Sequence, residues 1–150
     1  MQAKYVHTNL VARDWQHLAD FYESVFGCEP LLPARDYRGD NLDAATSLEG
    51  AALQGMHLRL PGFGEGGPTL EIFQYEEAVT REAPAINRPG FAHLAFAVDD
   101  VQAATDEVLA AGGSEYGERT VFETSDGRKV EMIYLCDPEG NIIELQRWFG

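Results

Sequence analysis

Residues 91–98, FAHLAFAV, repeat the pattern and the surroundings of residues 4–11, KYVHTNLV, and this echo decides the fold. In KYVHTNLV, Val6, Thr8 and Leu10 alternate with Tyr5, His7 and Asn9, the period of two that marks a strand. Arg13-Asp14 interrupts the run. WQHLADFYESVFG then carries Leu18, Phe21, Tyr22, Val25 and Phe26 at helical spacing, with Asp14 placed as an N-cap and Gly27 as the stop. FAHLAFAV has His93 as its third residue and is followed by Asp99-Asp100. VQAATDEVLAAGG reads as a helix with Val101, Ala104, Val108 and Leu109 on one face and Gly112-Gly113 as the stop. The order strand with His, Asp, helix, Gly therefore occurs twice, 86 residues apart.

The segments downstream also correspond. LDAATSLEG, AALQGMHLRLPG and PTLEIFQYE read as three strands punctuated by Gly and Pro. ERTVFET, RKVEMIYLCD and NIIELQRWF form the second trio, with turns at SDGR and DPEGN. Each trio ends on a strand containing a glutamate, Glu71 in LEI and Glu144 in IEL. Residues 77–89 are polar and Pro-containing. They divide a single domain, 1–150, into modules 1–76 and 90–150. The fold class is α+β: two βαβββ modules forming a curled mixed sheet around a cleft. One such module is too small to cover both faces of its sheet. Pairing two places equivalent residues at a pseudo-two-fold axis, with the helices on the convex faces.

Bulk properties narrow the function. A chain of 150 residues buries roughly 70% of its unfolded surface, enough for a sizeable core. The net charge of −14, from 25 acidic and 11 basic side chains, repels phosphate backbones. Nucleic-acid and anionic-membrane partners are accordingly not expected, and a small-molecule substrate is. Cys28 and Cys136 form no CxxC pair, and MQAKYVHTNLV has no signal-peptide pattern, which together fit a reducing cytoplasm. No stretch reaches the ~20 apolar residues that span a bilayer.

Strand alternation tests whether the polar residues converge. His7 lies opposite Val6, Thr8 and Leu10, and Glu71 opposite Leu70 and Ile72. His93 lies opposite Leu94, Phe96 and Val98, and Glu144 opposite Ile143 and Leu145. Each time the apolar neighbours face the helices and the polar residue faces the cleft. A lone strand histidine is usually an ordinary hydrogen-bonded residue, and a lone glutamate is usually solvated. Four in equivalent places are different, because unpaired carboxylates in a cleft are costly and a cation resolves that cost. His7, Glu71, His93 and Glu144 are thus expected to bind one divalent metal ion. The N₂O₂ donor set suits Mg²⁺, Mn²⁺, Fe²⁺, Co²⁺, Ni²⁺ or Zn²⁺. On a six-coordinate ion it leaves two positions for two oxygens of one substrate.

HTNLVARDWQHLADFYESVFG, PGFAHLAFAVDDV and DPEGNIIELQ are similar to the vicinal oxygen chelate superfamily, which includes glyoxalase I, methylmalonyl-CoA epimerase, extradiol dioxygenases and fosfomycin-resistance proteins. The resemblance spans essentially the whole chain and implies the glyoxalase-like fold. It matches His7 to the family's first-strand His, Glu71 to its fourth-strand carboxylate, His93 to its fifth-strand His and Glu144 to its last-strand Glu. A fourth protein ligand at Glu71 resembles glyoxalase I or an epimerase more than the two-His, one-Glu dioxygenases and fosfomycin-resistance proteins. The resemblance therefore implies a metal-dependent lyase, isomerase or epimerase that stabilises an enediolate. Glu144 is the first choice of base and Glu71 the second. Relatives form dimers, so a homodimer is expected. An Fe²⁺ extradiol-type dioxygenase and a non-catalytic antibiotic-binding protein stay open as alternatives. Arg13, Arg35, Arg38 and Arg88 are available for an anionic substrate but match no motif, and Asn9 stands on the His7 face where a base would suit glutathione better.

Other residues have two readings. His57 in MHLRL is a further candidate for the cleft, but Arg59 shares its face and surface exposure is the expectation. His17 is expected to be solvated. Phe73, Tyr75 and Trp148 line an apolar pocket or pack at an edge. Met132, Tyr134 and Cys136 floor that pocket or belong to the core. Cys28 is structural rather than reactive. Residues 33–46, PARDYRGDNLDAAT, form a mobile flap or a solvated connection. PGFGEGGP lacks the Lys and following helix of a phosphate loop and reads as a turn.

Overall fold

The computed structural model describes residues 1–150, which divide into two compact units, Met1–Arg81 and Glu82–Gly150. The first unit runs β1 (His7–Val11), α1 (Trp15–Phe26), β2 (Glu29–Arg38), α2 (Asp40–Thr46), β3 (Ala52–Arg59) and β4 (Thr69–Tyr75). Its four-stranded sheet has the order β1-β4-β3-β2, with β1 parallel to β4 and the other pairs antiparallel. The second unit runs β5 (His93–Ala97), α3 (Val101–Ala110), β6 (Ser114–Glu115), β7 (Thr120–Glu123), β8 (Lys129–Cys136) and β9 (Ile142–Phe149). Its sheet has the order β5-β9-β8-β6, with β7 also paired to β8 and β5 parallel to β9. The class is α+β, with three helices and two mixed sheets.

The helix signals act where the spacing puts them. Asp14 caps α1 by accepting the His17 N–H at 3.0 Å, and Asp100 caps α3 by accepting the Ala103 N–H at 3.0 Å. Gly27 ends α1 in the left-handed region at φ 67°, where a side chain would be strained. α1 packs on β3 and β4, and the buried residues of these elements include Leu18, Phe21, Tyr22, Leu58, Leu70 and Ile72. α3 packs on β8 and β9, with Val101, Val108, Leu135, Ile143 and Leu145 buried. Each such side chain contributes about 1.5–3 kcal/mol of burial. With one face of each sheet committed to a helix, a one-residue slip in register would bury the polar set, so the register is tightly specified.

Two expectations fail in the first unit. LDAATSLEG is not a strand: its first half lies in α2, and the strand in its place is EPLLPARDYR, β2. Pro30 and Pro33 speak against a strand, but β2 is the edge strand and the pairing shifts between Leu31 and Arg35, the places where proline is tolerated. Helix α2 begins with Asp40 and Asp43 near its positive end. The Asp43 carboxylate also accepts the Gly50 and Ala51 N–H groups, both at 2.8 Å, tying the following turn to the helix. Residues 33–46, expected as a mobile flap or a solvated connection, are accordingly regular structure, and most of them are exposed. No helix of the chain is long and apolar enough to cross a membrane.

Candidate metal centre

In the first unit three adjacent strands bring polar side chains to one face. Glu71 stands in β4 between Asn9 of β1 and His57 of β3, its direct partners in the two ladders. His57 Nε2 lies 2.7 Å from Glu71 Oε1, and His7 Nε2 lies 3.5 Å from Glu71 Oε2. Asn9 Nδ2 donates to Oε2 at 2.8 Å. The other nitrogen of His57, Nδ1, meets Thr69 Oγ1 at 3.0 Å. The Glu71 side chain is 12% exposed, so its carboxylate is largely removed from water and surrounded by nitrogen. Burial lowers the pKa of His57 below its ordinary value, and the nearby charges of Arg35 and His7 push the same way; Glu71 opposes them. His57 is thus held toward its neutral, lone-pair-bearing form, the form that ligates metals.

Phe73 closes one side of this face. Its ring centroid lies 6.4 Å from His57 and 6.5 Å from Tyr37. Gly55, paired with Phe73, makes room for it: a Cβ there would sit 2.5 Å from Phe73 Cδ1.

The second unit repeats the plan with two changes. His93 Nε2 lies 3.1 Å from Glu144 Oε2. Ala95 replaces Asn9 as the parallel partner of the glutamate, and Tyr134 replaces His57 as the antiparallel partner. The phenol of Tyr134 hydrogen-bonds to Glu144, and its ring lies 5.1 Å from His93. Its pKa is raised, first by burial and then by the negative charge of Glu144. A neutral phenol donates a hydrogen bond to the carboxylate, so here Glu144 has a hydroxyl donor where Glu71 has an imidazole.

The structure therefore brings His7 to Glu71 and His93 to Glu144, each pair within its own unit. The alternation argument placed all four on the polar faces of their strands. His57 was misjudged. Arg59 does not draw that face into solvent, because it is the cross-strand partner of Glu29 and its Nη1 binds Glu29 Oε2 at 2.8 Å. The donors fit a divalent cation: His7, His57 and Glu71 offer ligand atoms that all lie within 4.8 Å of one another.

Of the remaining candidates, His17 is exposed on α1. Met132 and Cys136 are buried beside Tyr134, whereas Trp148 is 47% exposed, bonds Gln146 Oε1 through its indole N–H at 2.8 Å and carries the Arg128 guanidinium over its ring. Tyr75 lines a cavity of about 470 Å³ with Leu48, Ala52, Glu76 and Val79, which contains no histidine. Arg38 is paired with Asp36 and Glu76, and Arg88 with Glu82. Cys28 is buried and its thiol is pushed up to about 12 by burial and by Glu23, which makes it a core residue rather than a nucleophile.

The fold is shared with proteins of known structure. A glyoxalase family protein from Bacillus cereus has the same fold, at a TM-score of 0.84 and 17% identity over 100% of this chain and 97% of that one. A glyoxalase/bleomycin resistance protein/dioxygenase domain from Frankia matches at a TM-score of 0.60 and 18% identity, over 98% of each chain. A fosfomycin resistance protein from Listeria monocytogenes, solved with Mn(II) and sulfate, matches at 0.54 and 16% identity over 98% of this chain and 93% of that one. No curated protein matches the sequence. The model of the Glyoxalase/Bleomycin resistance protein/Dioxygenase superfamily matches residues 4–145, and the chain belongs to that superfamily.

Proposed function

We propose that the protein is a divalent-metal-dependent enzyme of the glyoxalase type, with His7, Glu71, His93 and Glu144 as metal ligands, acting as a homodimer in a reducing cytosol. The observation that carries this reading is the identical register of the two His–Glu pairs. Each histidine opens a strand parallel to the glutamate's strand, two ladder positions before it, and His7 faces Glu71 as His93 faces Glu144. The Mn(II) held by the fosfomycin resistance relative supports a divalent ion on this fold.

A bound divalent ion supplies Lewis acidity toward two neighbouring oxygens of a small substrate and stabilises enediolate charge. The chain's own groups supply the proton transfers. Glu144 takes the proton from the carbon beside the substrate carbonyl and returns it to the adjacent carbon. The Tyr134 hydroxyl, bonded to Glu144, fixes the direction in which that carboxylate points. Glu71 meets three polar partners, His7, Asn9 and His57, against two for Glu144, His93 and Tyr134, which favours Glu144 as the base.

The test is proton exchange in ²H₂O, followed by NMR on metal-loaded protein with a panel of α-hydroxycarbonyl compounds and hemithioacetals. Exchange at the substrate carbon is expected in the wild type, slower by about 10²–10⁴-fold in Glu144→Gln at saturating metal. Undiminished exchange in that variant contradicts the base assignment.

A further inference from the structure

Five histidine and glutamate side chains, not four, belong to the two His–Glu clusters, and the fifth is His57. We propose that His57 is itself a metal ligand, so that His7, His57 and Glu71 form a two-histidine, one-carboxylate donor set within the first unit. This deepens the metal reading and rests on it.

The argument is geometric. The three residues lie on the three adjacent strands β1, β3 and β4, with the glutamate on the central one. Neighbouring donors around an ion with bonds of about 2.1 Å stand about 3 Å apart. His57 Nε2 is 2.7 Å from Glu71 Oε1 and His7 Nε2 is 3.5 Å from Glu71 Oε2, one pair inside and one outside that spacing. The rings of His7 and His57 meet edge to face with centroids 5.5 Å apart, and the ligand atoms of His7, His57 and Glu71 all lie within 4.8 Å of one another.

The neighbours of the cluster also suit ligation. Metal-bound imidazoles characteristically give their second N–H to an oxygen, which fixes the tautomer. Thr69 Oγ1, 3.0 Å from His57 Nδ1, can serve as that acceptor, in the tautomer that leaves Nε2 with its lone pair toward the site. Two acceptors 2.7 Å apart repel unless a proton or a cation lies between them. Asn9, at 2.8 Å from Oε2, fixes the carboxylate as a further outer partner. His57 is held by packing as well, 18% exposed and beside Phe73.

The second unit has no counterpart, since Tyr134 fills the equivalent position and a neutral phenol is a poor ligand. The two halves are therefore unequal, with three donors in the first and two in the second.

The experiment uses the full chain loaded with Co²⁺ alone. Each ligating imidazole gives one exchangeable N–H proton with a large paramagnetic shift in the NMR spectrum. Three such resonances are expected in the wild type and two in His57→Gln, with Co²⁺ binding weakened at least about 100-fold. The glutamine side chain can still donate a hydrogen bond to Glu71, so it restores affinity if His57 serves only as a hydrogen-bond partner. A wild-type spectrum with no shifted resonance from His57, or near wild-type Co²⁺ affinity in His57→Gln, overturns the His57 assignment while leaving the four-ligand reading standing. A wild-type chain that takes up no Co²⁺ overturns both. The resonance count in the wild type needs no variant to fold.

Discussion

His57 and Tyr134 occupy the same place in the two units: each is the antiparallel cross-strand partner of its unit's glutamate, Glu71 for one and Glu144 for the other. The duplication thus conserves the position of the glutamate's neighbour and changes its chemistry. An imidazole can ligate or accept a proton, whereas a phenol held neutral by burial and by Glu144 offers that carboxylate a hydrogen-bond donor.

Tyr134 is therefore expected to act as a positioning residue. Replacing it by Phe removes the hydrogen bond to Glu144 and keeps the ring that packs near His93. Loss of an outer hydrogen-bond partner typically weakens metal affinity about 10–100-fold. Calorimetric titration of Tyr134→Phe with Co²⁺ is expected to show a loss in that range with little change in Tm. A lowered Tm with unchanged affinity would mean that Tyr134 serves only packing.

Asp137 holds the turn that joins Tyr134's strand to Glu144's strand. It is 2% exposed and accepts the Glu139 N–H at 3.0 Å, the Asn141 N–H at 2.8 Å and the Asn141 side-chain amide at 2.7 Å. Asp137→Ala strands donors that the turn keeps from water, at about 1–3 kcal/mol for each group left unsatisfied. Urea unfolding of this variant is expected to show a loss of about 3 kcal/mol or more. A midpoint within error of the wild type would contradict the account of the turn.

Asp100 gives the second unit an acid-sensitive helix cap. Its carboxyl is held below the usual range, chiefly by the Ala103 N–H it accepts, while partial desolvation opposes the shift and the Gln102 N–H and the charges of Arg147 and Arg119 add to it. A lowered folded-state pKa means that the stabilisation is complete above the ordinary Asp value of about 3.9 and is lost as pH falls through the lower folded value. Asp100→Asn keeps an N-cap acceptor without a titrating charge. The Tm advantage of the wild type over Asp100→Asn is expected to be present at pH 6 and to shrink on acidification below pH 4. An advantage independent of pH would rule out the charge as its origin.

The sequence made the duplicated plan and the placement of His7, Glu71, His93 and Glu144 on the polar faces of their strands legible because strand alternation is a local property. Once Leu70 and Ile72 are assigned to the core, the backbone turns Glu71 the other way, and the same holds for Glu144 between Ile143 and Leu145. His57 was not legible, because its partnership with Glu71 depends on the register between β3 and β4, fixed by how the intervening Gly-rich turn closes. Arg59 added a false signal, since its neutralisation by Glu29 depends on a β2 that the prolines conceal. The same concealment turned α2 into an expected strand. Tyr134 was seen as a pocket or core residue because nothing local to β8 announces that Glu144 lies across from it.

The most direct test of the central claim is metal analysis of protein purified without added metal and then dialysed against limiting Co²⁺, Ni²⁺ or Zn²⁺. About one ion per chain is expected, lost in His7→Ala and in Glu144→Ala while both variants keep the wild-type circular dichroism spectrum. A folded chain that takes up no divalent ion under any loading condition contradicts the account.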